Sequence, residues 1–307
     1  MGLRAHAHRW GYPVQTSPQN SHSVTVIGLG PMGRAMAAAY LDRGYAVTVW
    51  NRTASRAEEL VNRGAVLAAG PEEAIAANEV VVLSLTDYDA VHGILGTVDP
   101  AAFKGRVIVN LSSDTPERAR EGAAWLAERG AVQLTGGVLV PPSGVGDPES
   151  ATFYSGPLDT FEAHRETLSV ITGKTDHRGE DPGLAALYYQ LNMVMFWTAL
   201  SGYWQALAVA GAHGISAAEL LPYAHGALDL GRFLDFYAPR VDAGNHAGDV
   251  DRLTMGLAST EHVLHTVTDA GVDGTLPAAV VELFRRGVEA GRGGDSSSSL
   301  VEVLRKQ

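Results

Sequence analysis

Val24-Thr25-Val26-Ile27-Gly28-Leu29-Gly30-Pro31-Met32-Gly33 joins a β-branched apolar run to a G-x-G-x-x-G pattern and then to residues of helical character. Gly28 permits a tight turn, Gly30 lets a ligand approach the backbone, and Gly33 allows close packing of helix on strand. The helix opening at Pro31 and Met32, with Leu29 in the turn before it, presents amide donors and a positive dipole end to an anion. Alone the pattern is weak. A strand before it and a helix after it are the context that marks a dinucleotide-binding unit.

The next strand-like run ends in Trp50-Asn51-Arg52-Thr53-Ala54-Ser55-Arg56. A site for NAD places Asp or Glu there, on the ribose hydroxyls. No acid occurs here, where a carboxylate would repel a ribose phosphate. Arg52 and Arg56 offer two guanidinium groups, and Asn51, Thr53 and Ser55 offer neutral donors to the same oxygens. The balance favours NADPH over NADH, against the plainer reading of both arginines as a solvated face.

Around this unit, apolar runs at residues 24–28, 46–50, 80–85, 107–111 and 132–138 alternate with helix-length segments at 32–43, 55–62, 71–77, 87–95 and 116–128. Nearly continuous apolar strands are those of a parallel sheet covered on both faces, so the pattern predicts an α/β Rossmann domain with a doubly wound, mainly parallel sheet. Short runs at 151–155 and 174–178 are expected to extend it. Ligands bind at the carboxyl ends of such strands, which assigns Leu85, Thr86 and Asn110 to the wall around the ribose and nicotinamide. Asp114 reads either as a functional acid or as a helix cap.

After Pro182 the pattern turns wholly helical. Residues 183–212 predict one helix of about 45 Å, apolar on every side and therefore in need of cover on every side; a second subunit is the simplest cover. Three segments follow: a flexible extension at 1–22, an NADP-binding domain at 23–181 and an all-α domain at 182–307 that opens on the long interdomain helix, about 182–212. A Gly/Ser-rich loop at 291–299 precedes a short terminal helix.

The 307 residues are 46% hydrophobic and 19% charged, and 23 Lys and Arg against 34 Asp and Glu leave a formal charge of -11. That acidity excludes nucleic acid as a primary partner. The absence of cysteine removes disulfide, thiol and thiolate–metal chemistry, as expected of a cytoplasmic enzyme. Residues 1–22 lack the apolar core of a secretion signal. Gln190, Asn192, Thr198, Ser201 and Gln205 break the apolar run at 184–212, which reads as a buried helix rather than a membrane span. His262 and His265 lack a third ligand, so no metal site is expected, and no G-x-S-x-G elbow supports a serine hydrolase.

The chain resembles the β-hydroxyacid dehydrogenase superfamily, and more closely the NADPH-dependent imine reductases. The resemblance rests on residues 28–33, Val49-Trp50-Asn51-Arg52-Thr53, Asn110-Leu111-Ser112-Ser113, the Gly-rich segment 136–146, the long helix after Asp181-Pro182-Gly183 and the tail at 291–297. Dehydrogenases of the superfamily carry a catalytic Lys on the interdomain helix. Here Gly183-Leu-Ala-Ala-Leu-Tyr188-Tyr189-Gln190-Leu191-Asn192 has none, and no Lys lies between Lys174 and Lys306. Their carboxylate-binding Ser-Gly-Gly is changed to Thr135-Gly136-Gly137.

The resemblance implies reduction of cyclic imines, with Tyr189 at the Lys position as proton donor or orienting group and Tyr188 as the alternative one residue out of register. Tyr at this position corresponds to the (S)-selective subgroup. It also implies a substrate pocket at Val138, Pro141, Asn192, Phe196, Trp204 and Tyr237, and a homodimer with interlocked helical domains. A cationic Lys would repel an iminium, whereas a Tyr hydroxyl can donate or accept a hydrogen bond. The rivals are an NADP-dependent 3-hydroxyacid dehydrogenase of the same fold and a non-catalytic NADPH-sensing protein.

Overall fold

Alternation of side chains along a strand sends Val24, Val26, Val80, Val82, Val107 and Val109 to one face of a sheet and Ile27, Val81, Leu83 and Ile108 to the other. Both sets are apolar because both faces are covered. In the computed structural model, which describes residues 22–305, these residues form a sheet of eight strands. They are β1 (Ser23–Ile27), β2 (Ala46–Trp50), β3 (Val66–Leu67), β4 (Val80–Leu83), β5 (Val107–Asn110), β6 (Val132–Val138), β7 (Ala151–Ser155) and β8 (Lys174–His177). Their order is β3-β2-β1-β4-β5-β6-β7-β8. The first six run parallel, β7 is antiparallel to β6, and β8 is parallel to β7. The strand order reverses between β1 and β4, the switch point at which a doubly wound sheet opens a crevice.

The helices of this unit are α1 (Pro31–Asp42), α2 (Glu58–Asn62), α3 (Pro71–Ala77), α4 (Tyr88–Leu95), α5 (Pro116–Ala127) and α6 (Leu158–Leu168). Met36, Ala37 and Tyr40 of α1 pack with Phe161 and Leu168 of α6 on one face. Ala74, Ile75, Val91, Leu95 and Leu126 cover the other. Two elements are absent from the sequence pattern. β3 is only two residues long, and α6 commits Phe161, Thr167 and Leu168 to the core among charged neighbours. The segment expected to be helical at 55–62 starts as a 3₁₀ turn at Ala54–Ala57. Asp114 does not cap α5: Thr115 does, its hydroxyl accepting from Arg118 N at 3.3 Å. The expectation of an extension at 1–22 falls, apart from His22, outside the described residues.

α7 (Gly183–Ala212) is one helix of 30 residues. The chain divides into two compact units inside it, one ending at Asn192 and the other starting at Met193. The second unit continues with α8 (Ala217–Leu228), α9 (Gly231–Asp242), α10 (Leu253–Asp269), α11 (Thr275–Gly287) and α12 (Leu300–Leu304). Ser216 and Glu219 form a reciprocal capping box at the start of α8. Close packing of α10 on α11 uses Gly256, where a Cβ would lie 2.2 Å from Phe284. The tail folds back so that Asp251 accepts from Ser296 Oγ, Ser297 N and Ser297 Oγ. Apolar side chains nevertheless stay exposed in this unit, including Val194 (66%), Trp197 (53%), Phe233 (58%) and Met255 (64%). No helix among the described residues is long and apolar enough to cross a membrane.

Candidate active site

The turn after β1 is built as its glycines predict. Gly28 has φ +95°, and a Cβ there would lie 2.3 Å from the Ser84 carbonyl oxygen. A Cβ on Gly33 would lie 1.8 Å from the Gly28 carbonyl oxygen, so α1 is seated directly on the turn. Gly30 differs: nothing lies within 4 Å of where its Cβ would be. No side chain caps α1, and no acid occupies its first turn. Open space over Gly30 in front of uncapped amides fits a dinucleotide pyrophosphate.

The turn borders a cleft of about 870 Å³ along the carboxyl ends of β1, β2, β4 and β5. Gly28, Gly30, Pro31, Met32, Asn51, Arg52, Thr53, Arg56, Leu85, Thr86, Val138 and Tyr189 all line it. Among the described residues neither Arg52 nor Arg56 forms an ion pair, which leaves two uncompensated guanidinium groups at the end of β2. They fit a ribose phosphate. Asn51, expected as a donor to that phosphate, lines the cleft and keeps one Nδ2 N–H free beside two bonds made within the protein. Its Oδ1 accepts from Leu29 N and its Nδ2 donates to the Thr53 carbonyl, both at 2.9 Å. It braces the glycine turn against the arginine-bearing loop.

The floor is cross-tied in the same way. Leu85 N donates to Ser112 Oγ at 3.2 Å, and Ser112 N donates to Asn110 Oδ1 at 3.0 Å. Asn110 itself is fully buried beneath the lining, its Nδ2 without a partner among the described residues. Leu29 is likewise buried in the core and contributes backbone only. Gly33 acts through packing. Pro141 is exposed and does not line this cleft, whereas Val140 does. Asn192 turns its amide back onto the Tyr188 carbonyl at 2.9 Å. Phe196, Trp204 and Tyr237 belong to the second unit. Phe196 and Trp204 are half exposed, and the Tyr237 hydroxyl lies 3.4 Å from Ser297 Oγ.

Helix phase separates the two adjacent tyrosines of α7. Tyr188 turns towards Phe153 and stacks under Arg178, whose guanidinium carbon lies 4.0 Å from its ring centre. Tyr189 faces the cleft. It rests on Gly137 of β6, where a Cβ would come within 2.7 Å of Tyr189 Cβ, and its hydroxyl has no hydrogen-bond partner among the described residues. The titratable side chains lining the cleft are Arg52, Arg56, Asp89 and Tyr189; neither Lys nor His is among them. Asp89 is paired with Arg118. Among the described residues no cluster of His, Asp and Glu can hold a metal.

The opposite lip carries no motif in the sequence. Pro71 from α3 lines it after β3, which pairs with β2, and Asp89, Ala90, Gly93 and Ile94 from α4 with Thr97 just beyond it are brought to the cleft by the pairing of β4 with β1. The only sequence signal for them is their position after strand carboxyl ends.

Comparison with known proteins agrees with both halves of the chain. Residues 23–179 match the model of the NAD binding domain of 6-phosphogluconate dehydrogenase. Residues 181–306 match the NADPH-dependent reductive aminase-like C-terminal domain. An NADPH-dependent reductive aminase of Aspergillus oryzae is 30% identical over 290 residues, covering 93% of this chain and 98% of that protein. Among solved structures, an imine reductase of Streptomyces aurantiacus is 62% identical with a TM-score of 0.90, covering 93% of this chain and all 100% of the other. A reductive aminase of Aspergillus terreus, solved with NADPH and ethyl-5-oxohexanoate, is 33% identical with a TM-score of 0.88 over 93% of this chain and 100% of that one. An arginine-flanked dinucleotide cleft without lysine, and likeness along nearly the whole chain, place this protein in the imine reductase and reductive aminase family, the NADPH-dependent oxidoreductases of the hydroxyacid dehydrogenase superfamily.

Proposed function

We propose that this enzyme reduces cyclic imines to amines with Tyr189 as the proton donor or orienting group at nitrogen. The observation that carries the reading is the composition of the cleft. With Arg52 and Arg56 at the phosphate end and Asp89 held by Arg118, Tyr189 is the lining acid left to serve a reacting atom. NADPH, when bound, supplies the hydride that reduces the imine carbon. Gly28, Gly30 and the start of α1 would hold its pyrophosphate, and Arg52 and Arg56 its ribose phosphate. The Tyr189 O–H directs a proton at the nitrogen, or a hydrogen bond where the imine is already protonated. Hydride on carbon and proton on nitrogen balance the conversion of C=N to CH–NH. Val138 and Val140 supply apolar wall around the reacting centre, and the family resemblance assigns Pro141, Asn192, Phe196, Trp204 and Tyr237 to the rest of the substrate site.

Oxidation of a 3-hydroxyacid would require a base at the alcohol and a cation for the carboxylate near Tyr189. Lys174 is instead on the surface, bonded to Glu149 at 2.6 Å. The exposed apolar residues of the second unit support a homodimer through the helical domains, and a cytoplasmic enzyme is in keeping with this reading. Replacing Tyr189 with Phe tests it. Turnover of 2-methyl-1-pyrroline should fall about 10²-fold, the scale of a lost general acid, with a change in the (S) preference of the product. NADPH affinity should not change. Unchanged turnover and chirality would sink the assignment.

A further inference from the structure

α7 opens on Asp181-Pro182-Gly183, and its first turn is tied down by side chains from other elements. Asp181 Oδ1 accepts from Gly183 N at 2.9 Å, and the Asp181 carbonyl accepts from Leu184 N at 3.0 Å. Ser155 Oγ, at the end of β7, accepts from Ala185 N at 3.0 Å and donates to the Pro182 carbonyl at 2.9 Å. Three of the first-turn amides are thereby satisfied. The Asp181 carboxylate is in turn gripped by Arg120 of α5 in two parallel bonds, Nε to Oδ1 and Nη2 to Oδ2, each 2.8 Å. Glu117 holds the remaining guanidinium nitrogen at 2.8 Å. Gly183 makes room for this plane, since a Cβ there would lie 2.8 Å from Arg120 Cζ. Further along α7, Gln190 Nε2 donates to the Asp114 carbonyl at 3.2 Å, just before the start of α5.

We infer that Arg120, through Asp181, is a positioning residue that sets how far the Tyr189 hydroxyl reaches into the cleft. Tyr189 lies six residues beyond Gly183, about 9 Å along a stiff helix, so a shift of the first turn is transmitted to it undiminished. The pair is exposed on both sides, 43% for Arg120 and 40% for Asp181. Exposed pairs add little stability; what two parallel bonds supply is direction. Arg120 and the Gly183 amide together hold the Asp181 carboxyl below the usual carboxylate range, so the grip persists at neutral pH.

The inference rests on the role proposed for Tyr189, and a double-mutant cycle separates the two. Arg120→Met and Arg120→Lys are made in the parent enzyme and in Tyr189→Phe. kcat and KM are measured with NADPH and 2-methyl-1-pyrroline, NADPH affinity by fluorescence titration, and Tm by calorimetry. With Tyr189 present, Arg120→Met should lower kcat about tenfold, a fraction of the effect of a 1 Å misplacement. NADPH affinity should stay within about twofold, and Arg120→Lys, which keeps the charge but not the fork, should fall between. In Tyr189→Phe, the same substitutions should change kcat by less than about twofold. Equal losses in both backgrounds, or no loss with Tyr189 present, overturn the clamp and leave the role of Tyr189 standing. If Tyr189→Phe alone leaves turnover and chirality unchanged, both fall. Should Arg120→Met not fold, Arg120→Lys carries the same comparison.

Discussion

Gly137→Ala tests how closely catalysis depends on the seat of α7. An added methyl would meet Tyr189 Cβ at 2.7 Å, Tyr189 Cγ at 3.2 Å and the Ala185 carbonyl oxygen at 3.2 Å. The closest ordinary contact is about 3.4 Å, so the shortfall at Tyr189 Cβ is about 0.7 Å. No rotamer relieves it, because Cβ and the carbonyl oxygen move only with the helix backbone. α7 must therefore retreat from β6 and draw Tyr189 back from the cleft. Over-packing of this kind costs about 1–3 kcal/mol of stability, and misplacing a reacting group by about 1 Å costs about 10²-fold in rate. The expected result is a kcat lower by about ten- to a hundredfold, with NADPH affinity within about twofold of the parent. Steady-state NADPH oxidation at saturating imine measures the first quantity and fluorescence titration the second. A Gly137→Ala enzyme with parental kcat would show that the position of Tyr189 does not limit the reaction. A loss confined to NADPH affinity would show that the strain is passed to the glycine turn instead.

Removing Arg56 or Arg52 by alanine should weaken NADPH about tenfold each, the value of a charged hydrogen bond. NADH binding should change little, and equal losses for both cofactors would refute the phosphate assignment. Alkaline stability should depend on Tyr88, which burial pushes from 10.0 up to about 12. A raised folded-state pKa gives stability that is complete below the unfolded value, so the loss should begin near pH 10 and continue as pH rises through about 12, up to about 3 kcal/mol for this group. Tyr40 and Tyr154 are raised too. Tyr88→Phe should therefore shallow the decline of denaturant stability above pH 10 without abolishing it, and an unchanged slope would contradict the burial argument.

Much of the fold is legible in the sequence because parallel strands buried on both faces leave continuous β-branched runs. What escapes is short or charged. β3 pairs with β2 through only two residues, and α6 buries too few side chains to produce a clear period. The cleft is legible on one side only. Its glycine turn and arginine loop are continuous in sequence, whereas the α4 lip depends on β4 pairing with β1, which no local pattern encodes. Asn51 exposes a different limit. Its residue type and place suit a phosphate donor, yet Oδ1 and one of the two Nδ2 N–H groups are already bound within the protein, which leaves a single N–H for a ligand. Composition records which groups are present and not which are already satisfied. The choice between Tyr188 and Tyr189 likewise depends on helix phase, and one residue turns a side chain from the cleft to Arg178.

The distribution of charge along the cleft gives the exchange of lysine for tyrosine its chemical sense. Among the described residues the unpaired cations of the cleft are Arg52 and Arg56; its lining carboxylate, Asp89, is paired with Arg118; and Val138 and Val140 share the lining with Tyr189. On the proposed role of Tyr189, a lysine in its place would set an ammonium beside the reacting atoms. At about 4 Å and an effective dielectric constant of about 20, it would oppose an iminium by about 4 kcal/mol, close to a thousandfold in occupancy. A carboxylate substrate would gain from the same charge. A tyrosine hydroxyl keeps a transferable proton while removing that repulsion. In the proposed reaction one side chain, seated on Gly137 and aimed by the start of α7, therefore separates C=N reduction from alcohol oxidation on a shared cofactor scaffold.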